Sequence, residues 1–220
     1  MSCRRYQHSN DIGEQGHMHA VIFDIDGTLL QSAEVDDRLY RQAVEAVLGP
    51  VVFRPTLNDY ERITDSGILA QILVDNSLPT APDPTAQIKT CFVGALRSYV
   101  AHEGPFRQLP GAGKLIADLR ASERHAVAIA TGGWAESALF KLESAGLAHA
   151  GIPVATSNDA MDRVEIMRIA ASRLHVELES VTYYGDGPWD KAASEELGWK
   201  FVPVGEALGG LDSFEEIHID

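Results

Sequence analysis

Cysteine is nearly missing from this chain: 220 residues contain only Cys3 and Cys91. Two thiols make a poor disulfide scaffold, and the plain expectation is reduced cysteines in a cytoplasmic protein. Long apolar runs are missing too. None approaches the ~18–20 residues of a bilayer span. The first twenty residues carry Arg4, Arg5, Asp11 and Glu14 but no apolar stretch, so no secretory signal is expected. Cations are scarce: 18 Lys+Arg stand against 32 Asp+Glu, a formal net charge of −14. Such a chain repels polyanions, so neither nucleic acid nor membrane is an expected partner. No CxxC, HExxH or GxSxG pattern occurs. Gly111-Ala112-Gly113-Lys114-Leu115 fails as a P-loop, because Gln108 stands at the first glycine position and Leu115 at the Ser/Thr position.

What is present is an ordinary globular composition, 45% hydrophobic and 23% charged. Residues 1–17 are polar and without period, and are expected to form a mobile tail. His17 and His19 flank Met18, but an i, i+2 pair alone lacks the other ligands of a metal site. Short apolar runs then predict strands at Ala20–Phe23, Ala126–Ala130, Ile152–Ala155, Val181–Tyr184 and Lys200–Val204. Runs without alternation suit strands buried on both faces. Helical patterns at Ala112–Arg120, Trp134–Ala145, Asp162–Leu174 and Pro188–Leu197 lie between them. Gly146 and Gly198 are stop signals and Pro188 suits a first helical turn. The alternation predicts an α/β fold, a doubly wound parallel sheet with helices on both faces.

One stretch departs from it. Between Ala33 and His102 no convincing strand occurs. Helices are predicted at Ala33–Leu48, Thr56–Thr64, Gly67–Asp75 and Pro84–Ala101. The expected division is therefore a core of residues 18–32 and 106–220, with a helical cap domain of residues 33–105 inserted after the first strand. Its hinges are expected at Gln31–Ala33 and Gly104-Pro105.

Three motifs stand at predicted strand ends. In Asp24-Ile25-Asp26-Gly27-Thr28 the two carboxylates, two residues apart, project to the same side beyond the first strand. Gly27 permits a turn and Thr28 has a hydroxyl that can fix it. Thr131-Gly132-Gly133 offers a hydroxyl and free N–H groups where a helix begins, an anion site. Gly185-Asp186-Gly187-Pro188-Trp189-Asp190 places two more carboxylates around a tight turn. Hard oxygen donors from separate strands suit Mg²⁺, which takes one or two carboxylates with water and substrate phosphate.

In number, type and chain order these residues resemble the haloacid dehalogenase superfamily, in its phosphatase branch, from Met18 onward. The resemblance rests on Phe23-Asp24-Ile25-Asp26-Gly27-Thr28-Leu29, on Thr131-Gly132 and on Gly185-Asp186 with Asp190. It makes the helical insertion similar to the type-one cap of phosphoglycolate phosphatase-like and β-phosphoglucomutase-like members. The remaining motif, a basic residue opening a later helix, falls on Arg163, with Lys191 as the weaker substitute. The resemblance implies Asp24 as nucleophile, Asp26 as acid and base, and Thr131 and the Gly132 N–H as phosphate donors. It implies Arg163 as the charge-offsetting cation. Mg²⁺ would be held by Asp24, the backbone carbonyl of Asp26, and Asp186, with Asp190 supporting the shell. The implied activity is a Mg²⁺-dependent phosphomonoesterase acting on a small phosphorylated metabolite through an aspartyl-phosphate.

Alternatives stay open. A phosphosugar mutase keeps the same core. A receiver-like phosphoacceptor module is disfavoured by the chain's length, its insertion and Asp26. A dehalogenase needs no Asp26, and a phosphonatase needs a cap lysine, for which only Lys89 is present. Trp134, Trp189, Trp199, Tyr183 and Tyr184 are expected to pack. Arg38, Arg41, Tyr60 and Arg62 are cap residues that could face the crevice.

Overall fold

The computed structural model describes residues 17–219, so the predicted tail and Cys3 lie outside the described residues, apart from His17. Five strands form one parallel sheet: β1 (Met18–Phe23), β2 (His125–Ala130), β3 (Val154–Ala155), β4 (Leu178–Gly185) and β5 (Lys200–Pro203). Their order is β3-β2-β1-β4-β5, so the chain reverses its direction of travel at β1. Crevices beyond strand ends form at such a reversal. Between the strands run α4 (Ala112–Ala121), α5 (Ala135–Ser144), α6 (Arg163–Ser172) and α7 (Pro188–Leu197).

β1 shows why both faces are covered. Val21 and Phe23 point into one apolar cluster with Leu115, Leu119, Ala138 and Leu142 of α4 and α5. Ala20 and Ile22 point into the other, with Ile166, Met167, Ala170 and Ala193 of α6 and α7. Alternation along the strand thus feeds two layers, each side chain worth roughly 1–3 kcal/mol on burial. The short β3 has a local cause. Pro153 has no N–H to give, and the Ile152 N–H turns back to His149 O.

The insertion contains α1 (Ala33–Leu48), α2 (Asp65–Asp75) and α3 (Thr85–Glu103). Leu39, Tyr40, Ala43 and Val44 form the buried stripe of α1. The predicted helix at Thr56–Thr64 does not form. Only a three-residue 3-10 turn, Leu57–Asp59, appears there. Asp59 takes the N–H and hydroxyl of Thr56, and the chain leaves extended at Tyr60. Short polar side chains bonding local backbone compete with a helical ladder. The α2 helix starts two residues earlier than its pattern predicts, because Thr64 caps it by accepting from Gly67 N. Where the chain enters and leaves the insertion, its two segments lie side by side. Gln31 N donates to Arg107 O at 2.9 Å, and Leu30 bridges Gln108.

Candidate active site

β1 ends in a buried acid: Asp24 is 4% exposed, its N–H bonded to Tyr184 O. The chain then turns on itself, with the N–H groups of Thr28, Leu29 and Leu30 all reaching Ile25 O. Gly27 has a φ of +78°, which side chains resist, and any Cβ there would lie 2.0 Å from Asp186 Oδ2. The glycine therefore serves both the turn and the approach of the third motif. Thr28 does not fix the turn as expected. Its buried hydroxyl has no hydrogen-bond partner among the described residues, and backbone bonds hold the loop.

At the end of β2, Thr131 Oγ accepts from Gly133 N at 3.2 Å. Gly132 lies beneath Arg163: a Cβ there would meet a guanidinium nitrogen at 2.4 Å. At the end of β4 come Asp186 and then α7, whose first turn carries Pro188. Asp190 Oδ2 accepts from Gly187 N at 3.1 Å, closing that turn. Asp24, Asp186 and Asp190 each present an oxygen within 4.8 Å of the others. Asp24 and Asp190 are buried and Asp186 is half-buried.

Arg163 opens α6 and is half-buried, its side chain 11% exposed. Its guanidinium donates to Asp190 Oδ1 at 2.6 Å and lies 3.7 Å from Asp24 Oδ1. Tyr183 was expected only to pack, yet its hydroxyl donates to Ala130 O at 2.9 Å and lies 3.3 Å from Asp190 Oδ1. Burial, then Asp190, hold the Asp24 carboxyl well above the usual carboxylate range, against the pull of Arg163. Burial and Asp190 raise Asp186 to about 7. Burial would lower Arg163, but Asp190 and Asp24 outweigh it, so it stays charged. The Asp24 Oδ1 atom is buried without a hydrogen bond among the described residues. An orphaned anionic oxygen inside a group of three acids fits a hard divalent cation.

The Asp26 side chain turns away from that group. It accepts Ser32 Oγ at 2.6 Å and Lys141 Nζ at 2.7 and 2.6 Å. Lys141 is fully buried and also bonds Asp36, in the first turn of α1. Lys141, Asp36 and Asp65 are absent from the residues that the sequence motifs single out. For Lys141 a signal exists: Trp134, Ala138, Lys141, Leu142 and Ala145 recur at helical spacing, which puts one cation on an apolar face. Burial would lower Lys141, but Asp26 and Asp36 raise it. Burial and Asp26 push Asp36 well up, since one ammonium cannot neutralise two carboxylates.

The loop that failed to become a helix docks the insertion on the core. Ile63 O accepts from Arg163, and Thr64 Oγ donates to Met161 O. Asp65 N donates to Gly132 O, while Asp65 Oδ2 accepts from Trp134 N at 2.8 Å. Burial raises Asp65 to about 7, against the pull of Lys141 and the Trp134 N–H. A crevice of about 140 Å³ remains between insertion and strand ends. Asp37, Tyr40, Leu57 and Trp189 are also in its wall, so Trp189, expected to pack, lines the crevice. Arg38, Arg41, Tyr60 and Arg62 are not among its lining residues. Lys191 pairs with Glu195 on the surface, and Lys89 bonds Asn158 and Glu136.

The chain belongs to the haloacid dehalogenase-like hydrolases, whose family model matches residues 18–198. Among solved structures it is similar to CbbY from Rhodobacter sphaeroides in complex with phosphate. That match has a TM-score of 0.69 at 23% identity, over 90% of this chain and 96% of that one. It is also similar to β-phosphoglucomutase from Clostridium difficile, with a TM-score of 0.65 at 18% identity over 86% and 85% of the two chains. A putative phosphoglycolate phosphatase from Lactobacillus plantarum matches with a TM-score of 0.55 at 16% identity over 92% and 94%. At these identities the likeness is one of fold. No curated protein matches the chain at a significant level.

Proposed function

We propose that this hydrolase is a phosphomonoesterase that passes through an aspartyl-phosphate on Asp24. The observation that carries the reading is the Asp24 Oδ1 atom, buried, unpartnered and adjacent to Asp186 and Arg163. Asp24 would attack phosphorus, forming the Oδ–P bond as the ester P–O bond breaks. Asp26 would give the departing alkoxide its proton and later take one from the attacking water. Thr131 and the Gly132 N–H would hold phosphoryl oxygens, and Arg163 would offset their charge. Mg²⁺ fits the site through Asp24, the Asp26 carbonyl and Asp186, with Asp190 orienting Arg163. When bound it supplies charge neutralisation for the phosphoryl group.

The crevice also bears on the substrate. Among the described residues its only lining cation is Arg163, already beside two carboxylates, while Asp36, Asp37 and Asp65 also line it. Asp36 is paired with Lys141 and Asp37 with Arg41, so a second phosphate or a carboxylate would find no unpaired cation among the described lining residues. The substrate is therefore a small monophosphate whose remaining part is neutral or cationic, held under the insertion as a cap. The test is phosphate release from a panel of esters with and without Mg²⁺. A glycerol or amino-alcohol monophosphate should exceed a bisphosphate and phosphoglycolate in kcat/KM. Absence of Mg²⁺-dependent release, or full activity in Asp24→Asn, defeats the proposal. The mutase reading draws on the β-phosphoglucomutase neighbour, and a sugar 1-phosphate returning its isomer rather than free phosphate would select it.

A further inference from the structure

Lys141 is a fully buried cation, and none of the steps above uses it. Its side chain has 0% exposure, and it lies on α5, in the core. Its ammonium has three donors. Two contacts go to the Asp26 carboxylate at 2.6 and 2.7 Å, and a third goes to Asp36 of the insertion. Ser32, the residue on which α1 begins, donates to the same Asp26 at 2.6 Å. Asp26 is thus gripped from one side by the core and from the other by the root of the insertion. The counter-charge has the same split origin. Because Lys141 also faces Asp36, its ammonium has a second carboxyl contact besides Asp26. Nothing else in the core demands a lysine here. The rest of the buried α5 face is Ser137, Ala138 and Leu142, and a buried cation is costly unless fully paired.

We infer that Lys141 is a positioning residue that aims the Asp26 carboxylate, and that Asp36 makes this aim depend on the seating of α1. The inference rests on the phosphatase reading and on Asp26 as the proton donor in it. In physical terms, the grip fixes both torsions of a short side chain that otherwise samples several rotamers. An acid aimed wrongly loses most of its value, which for general acid–base catalysis is roughly 10²–10⁴-fold.

The test compares two esters, because only one needs the proton. An alkyl ester such as glycerol phosphate expels a strongly basic alkoxide. The 4-nitrophenyl ester expels a weakly basic phenolate that departs unaided. kcat/KM covers only the steps through departure of that group, so it isolates the acid role from the later attack of water. For Lys141→Met, kcat/KM on glycerol phosphate should fall by ~10²-fold or more, and on 4-nitrophenyl phosphate by under ~10-fold. Asp36→Asn keeps a hydrogen-bonding side chain of nearly the same size, and should show the same split at roughly a tenth of the size. It carries the test if Lys141→Met fails to fold, as judged by circular dichroism. Equal losses on both esters, or no loss beyond two-fold, overturn the inference. Wild-type protein that hydrolyses neither ester defeats the phosphatase reading itself, a distinct result.

Discussion

Two cations organise the site, the fully buried Lys141 and the half-buried Arg163, and they are built differently. Arg163 meets Asp24 and Asp190, all three supplied by the sheet and its helices. Lys141 meets Asp26 from the core but Asp36 from the insertion. The carboxylates of the first cluster all come from the core, although Arg163 also donates to Ile63 O of the insertion. The second is complete only when two units meet. Groups that must never move are anchored in one layer, while a group whose readiness can depend on an occupied crevice is shared between layers.

The largest expected effect breaks the first cluster at Asp24, the proposed nucleophile. Asp24→Asn should lower phosphate release by at least ~10⁴-fold while leaving the fold intact, because it removes a buried charge rather than creating one. Phosphate assay and thermal melting together check this. Arg163→Met comes next. It strands Asp24 and Asp190 without their cation, and should cost roughly 3–5 kcal/mol in urea unfolding. If it costs no more than Lys141→Met costs, the two clusters are not different in kind. Thr131→Val should reduce kcat by ~10²–10³-fold with little change in stability, as loss of one transition-state donor does.

The pH prediction sharpens the other half. Asp65, which docks the insertion through Trp134 N, has a carboxyl raised from 3.8 to about 7 in the folded chain. Between those values the folded protein holds a proton that the unfolded chain has released. Stability therefore falls as pH rises through that window, and stays low above it. Asp65→Asn should flatten that fall, measured as urea midpoints at pH 5 and pH 8. An unchanged pH dependence would show that Asp65 does not titrate in this way. The smallest effect is expected at Thr28→Val, where a buried hydroxyl without a partner is replaced by a methyl group. Stability should stay within about 1 kcal/mol of wild type, or rise.

These differences also explain what could be read in advance. Apolar runs bounded by Gly and Pro place four of the five strands closely, because full burial on both faces leaves a plain signature. The α1 and α7 helices match their patterns from end to end. The residues 56–64 misled because their apolar spacing is real but serves contact with the core, not a helical face. Asp24 and Asp186 announce themselves through short motifs at strand ends, whereas Arg163 is pointed to only by the family resemblance. Lys141 and Asp36 do not, because each is one charge in an otherwise ordinary amphipathic helix. Only their long-range pairing, 105 residues apart, gives them meaning.

The paired segments at Gln31 and Arg107 have one more consequence. The roughly seventy residues between them leave and rejoin the sheet at nearly one point, so closing that gap needs no more than a tight connection. Topologically the insertion is a bead on a ring. Lineages can exchange such a bead for another shape and keep the reaction centre whole, with one proviso. A replacement must bring its own carboxylate to Lys141, or that ammonium will be left with Asp26 alone.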